Sequence, residues 1–77
     1  MDKKIFLIDK SCYRKELVEN LSEKDLEEWV ADNDYEGDNS ILKIDANAYD
    51  SVDKAIDEEG FSSFMDLNDY YVFSFGF

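Results

Sequence analysis

The chain has 77 residues, 44% hydrophobic and 16% aromatic, with one cysteine, no histidine and a net charge of −12. That length holds one domain; the lone cysteine, Cys12, excludes an internal disulfide, and the missing histidine removes the commonest general base and a main zinc ligand. A field of this sign disfavours direct nucleic-acid binding and attraction to anionic membranes, and favours a basic protein partner.

From the N-terminus, Met1-Asp2-Lys3-Lys4 leads into only four apolar residues, Ile5 to Ile8, which does not have the form of a secretory signal. No apolar run approaches the roughly 20 residues that span a bilayer. Together with the lone cysteine, this makes the expected location cytoplasmic. Residues 3–8, KKIFLI, read as a strand apolar on both faces, as in the centre of a sheet.

Tyr13, Leu17 and Leu21 recur at i, i+4 and i+8 with Val18 beside them, which predicts a helix over about 11–21. Ser22 then restarts the chain as an N-cap, with Asp25 at the capping-box position and Leu21 and Leu26 placed as a hydrophobic staple. The second predicted helix buries Leu26, Trp29 and Val30 and ends near Asn33. An Asx-rich turn follows, from Asp32 to Asn39.

Residues 40–45, SILKID, read as a strand near a sheet edge, with Lys43 toward solvent. Asp50 or Ser51 caps a third helix that buries Val52, Ala55 and Ile56. Gly60 stops it, and Phe61 is placed to touch Ile56. Phe64 and Met65 sit in a loop over 61–68, read as a lid. Residues 70–76, YYVFSFG, are the most β-prone segment, with Tyr71, Phe73, Phe75 and Phe77 on one face. The expected order is β-α-α-β-α-β, a three-stranded sheet packed against helices. The class is α/β if the helical crossovers make the strands parallel, and α+β if the last strand is antiparallel.

IFLIDKSCY (5–13) aligns with ILKIDANAY (41–49) at an offset of 36, sharing Ile, Ile, Asp and Tyr. A duplicated strand–turn–helix unit and a chance likeness both fit.

Charge is unevenly spread. Residues 1–24 hold six basic and five acidic side chains, a net of +1, whereas 25–77 hold two basic and fifteen acidic, a net of −13. Within the acidic part, Asp50, Asp53 and Asp57 fall at i, i+3 and i+7 of the third helix, followed by Glu58 and Glu59. On the second helix Glu23 and Glu27 stack at i, i+4 beside Glu28. Such like-charge spacings destabilise a helix by a few tenths of a kcal/mol per pair. Rows of carboxylates about 5–6 Å apart along a helix imitate a phosphate row. In composition the chain is similar to small acidic proteins of the DNA-mimic type.

No catalytic constellation accompanies Cys12, and the carboxylates show no contrast of environment that would separate an acid from a base. The sequence therefore reads as a non-enzymatic interaction module, an adaptor or inhibitor of a basic protein, with DNA mimicry as its sharpest form. No cofactor is expected apart from Ca2+ in a second reading. There Asp32, Asp34, Glu36 and Asp38 resemble the opening of an EF-hand calcium loop, although Lys43 stands at the twelfth position where that loop has glutamate. A third reading is a structural homodimer assembled through the C-terminal strand.

Overall fold

The computed structural model describes residues 2–34, 40–60 and 66–77. Three strands, β1 (Lys4–Asp9), β2 (Ile41–Asp45) and β3 (Tyr70–Phe75), form one sheet in the order β2-β1-β3. Both pairings to β1 are antiparallel, with Ile5 opposite Ile44 and Ser74, and Phe6 opposite Lys43 and Phe73. Two helices complete the fold, α1 (Glu23–Asn33) and α2 (Val52–Glu58). The class is α+β, the outcome expected for an antiparallel last strand. A fully parallel sheet is ruled out, because each edge strand runs against the central one.

β1 is the central strand, and alternation sends its side chains to two separate cores. Ile5 and Leu7 pack with Ile44, Ala46, Ala55 and Ile56 on the α2 side, while Phe6 and Ile8 pack with Val18, Leu26, Val30 and Ile41 on the α1 side. Ile5, Leu7 and Ile8 are completely buried. Each such side chain contributes about 1.5–3 kcal/mol by leaving water. The helices therefore lie on opposite faces. β2 and β3, parallel to each other, are joined through α2 across the intervening β1, a split βαβ arrangement.

Local signals set both helix starts. Ser22 accepts a hydrogen bond from the Asp25 amide at 3.2 Å, and Ser51 does the same for the Lys54 amide at 3.2 Å, so Ser51 rather than Asp50 is the cap of α2. At the other end of α2 the Glu59 and Gly60 amides close back onto Ala55 and Asp57, and Gly60 takes the left-handed φ of 84°.

The helix expected over 11–21 does not form; only a 3-10 turn at Lys15–Leu17 interrupts an otherwise irregular segment. Asp9 accepts bonds from the Ser11 amide and hydroxyl at 2.8 and 2.7 Å, which fixes an Asx turn at the start. Arg14 offers no capping side chain, and Ser22 must be extended to cap α1. The segment between them therefore has no N-terminal side-chain cap to offset helix nucleation. Tyr13 packs edge-on against Trp29 at 5.0 Å and Val18 is buried, but Leu17 is 52% exposed.

The internal likeness has a structural counterpart confined to the turns. As Asp9 caps Ser11, Asp45 accepts from the Asn47 amide and side chain at 3.2 and 2.8 Å. Beyond the turns the copies diverge: a 3-10 turn follows β1 and a helix follows β2. The equivalent residues Ile5 and Ile41 face opposite sides of the sheet. The expected contact of Phe61 with Ile56 and the lid of Phe64 and Met65 lie outside the described residues.

Candidate functional site: two acidic helices on opposite faces

The anchors of α2 are Ala55 and Ile56, both buried, with Val52 half-buried beside them. Rotation about the helix axis then leaves Asp53, Asp57 and Glu58 exposed, and Asp50 and Glu59 are exposed on its flanks. Lys54 is the one cation in the stretch from 50 to 59. Glu59 accepts a hydrogen bond from the Tyr49 hydroxyl at 3.0 Å, and this bond, with burial and the Glu59 and Glu58 charges adding to it, raises the Tyr49 pKa.

On α1 the carboxylates have a different setting. Lys4, at the start of β1, donates to Glu27 and lies 4.0 Å from Glu23. The Glu27 hydrogen bond is the main cause of a raised Lys4 pKa, outweighing the lowering effect of burial. Glu23 and Glu27 are half-buried and only Glu28 stands exposed. The carboxylates singled out in the sequence thus form two groups, not one continuous surface. The α1 group is partly neutralised by a lysine 23 residues away in sequence. No local pattern announces that pairing.

Lys4 and Glu27 also border a cleft of about 400 Å3 between α1 and the β1–β2 pair, lined by Phe6, Val30, Ala31 and Lys43. A second, open cleft of about 850 Å3 lies where β3 begins, lined by Lys10, Arg14 and Lys15 with Tyr71 and Leu17. Residues 10–15 carry three basic side chains and no acidic one, against the sign of the whole chain. The near-neutral balance of residues 1–24 reflects this basic neighbourhood. Cys12 lines the same cleft and is exposed, with its sulfur 3.9 Å from the Ser11 hydroxyl.

Of the calcium-loop residues, Asp32 is exposed in the last turn of α1, and Asp34, just past its end, lies 3.2 Å from the Lys43 ammonium. Glu36 and Asp38 lie outside the described residues. Among the described residues no group of three or more acidic, cysteine or histidine side chains is arranged to hold a metal ion. No helix among them is long and apolar enough to cross a membrane.

Compared with known proteins, the chain matches no family model, no curated protein and no solved structure.

Proposed function

We propose that the chain is a non-enzymatic interaction module that binds a basic protein surface, with α2 and its flanks as the recognition element. The observation that carries this reading is the set of exposed carboxylates at Asp50, Asp53, Asp57, Glu58 and Glu59, in a stretch of sequence whose one cation is Lys54. They sit on and beside a helix anchored in the core through Ala55 and Ile56, so their spacing is held by the fold. A complementary basic surface gains on-rate and orientation from such an array.

Adaptor and inhibitor are the two forms this binding takes, and DNA mimicry is the sharp version of the second. The seven residues of α2 rise about 10 Å, the length of about three phosphates along one strand. Imitation of a longer phosphate row therefore needs the flanking Asp50, Glu58 and Glu59 as well. Affinity capture from nuclease-treated native lysate, with and without competing duplex DNA, tests the reading. A basic protein displaced by duplex DNA supports mimicry, and one that stays bound supports an adaptor. Failure to retain any basic protein contradicts both.

A further inference from the structure

We propose that β3 pairs with β3 of a second copy of this chain, antiparallel and about a two-fold axis, giving a continuous sheet of six strands. β1 flanks one side of β3, and among the described residues no strand flanks the other. An edge of this kind is usually guarded by charge or proline. The opposite edge, β2, carries Lys43 and Asp45 among its five residues. β3 carries neither guard, and residues 70–77 are the longest run without a charged side chain in a protein of net charge −12. A second copy is the occupant that this neutrality fits, because two such chains repel each other over the rest of their surfaces.

Residues directly opposite in an antiparallel pair share a face. Tyr71, Phe73 and Phe75 lie half-buried on the α1 side, and Val72, 41% exposed, lies with Ser74 on the other. A two-fold axis at Phe73, the middle of the alternating aromatic row, keeps the faces matched and sets Phe73 opposite its own counterpart, Tyr71 opposite Phe75, and Val72 opposite Ser74. The Tyr71 end, beside Lys10, Arg14, Lys15 and Glu16, meets the Gly76 end of the second copy, where the Asp2 backbone packs against Gly76 and the Lys3 ammonium lies over the Phe77 ring. The two basic clusters then sit at opposite ends of the interface.

This inference stands apart from the basic-partner reading, and salt separates them: screening strengthens self-pairing of two acidic chains and weakens attraction to a basic one. Sedimentation velocity on the full chain, across protein concentration and at low and high salt, is the test. The expected result is a monomer–dimer equilibrium that tightens with salt. A double variant, Val72→Lys with Ser74→Lys, both at exposed positions, sets lysine opposite lysine in this register and should weaken it about tenfold or more while leaving circular dichroism unchanged. A monomer at every concentration overturns the proposal. So do a dimer unaffected by the double substitution and assemblies that grow beyond two chains, which a closed two-fold interface forbids.

Discussion

The Lys43 ammonium lies 3.2 Å from Asp34 Oδ2, joining the edge strand β2 to the end of α1. In the calcium-loop reading these are the twelfth and third positions. The site where that loop needs a bidentate carboxylate thus supplies a cation to one of the expected ligands. Calcium in millimolar excess should therefore produce no binding heat, and neither calcium nor a chelator should move the thermal midpoint. A saturable calorimetric signal would restore the calcium reading.

Leu7 and Leu17 look alike in composition but differ in what surrounds them. Leu7 is completely buried between β1's neighbours and α2, whereas Leu17 is 52% exposed after the 3-10 turn. Leu7→Ala should cost about 2–5 kcal/mol in urea unfolding, a large fraction of the stability of a small domain. Leu17→Ala should cost about 0.5 kcal/mol or less. Comparable losses at both sites would mean that the Tyr13–Leu17–Leu21 stripe is packed as a helix after all.

Tyr70 begins β3 with its pKa raised from 10.0, first by burial and then by the charges of Asp9 and Asp69. The folded state therefore holds the phenol proton more tightly than the unfolded chain. Its contribution to stability is fully present below about pH 10, and falls as pH rises through the folded value. Tyr49 and Lys4 are shifted in the same direction, so their contributions disappear in the same alkaline range. Denaturation measured from pH 8 upward should show stability declining above about pH 10, with a shallower decline in Tyr70→Phe. An identical slope in that variant would remove Tyr70 from the account.

What was legible in the sequence was what neighbouring residues decide. Ser22 and Ser51 each sit three residues before the amide they cap, so both helix starts were readable. The two-faced apolar run of β1 announced a central strand, and the clean alternation of β3 announced its faces. The segment from 11 to 21 misled because helical spacing of Tyr13, Leu17 and Leu21 says nothing about the Asx turn at Asp9 or the missing side-chain cap at Arg14. Strand direction was undetermined because it depends on contacts across dozens of residues. The division of the acidic residues was hidden for the same reason: it follows from α1 and α2 lying on opposite faces and from Lys4, on the α1 face of β1, meeting Glu27.

That division gives the central proposal its most direct test. The affinity of the captured basic protein should be measured by titration calorimetry against the native chain and two charge variants. One combines Asp50→Lys, Asp53→Lys and Asp57→Lys on the α2 side; the other combines Glu23→Gln, Glu27→Gln and Glu28→Gln on α1. With the fold of each verified by circular dichroism, the α2 variant should lose binding and the α1 variant should stay within a few-fold of the native chain. Undiminished binding by the α2 variant, or loss confined to the α1 variant, would contradict α2 as the recognition element.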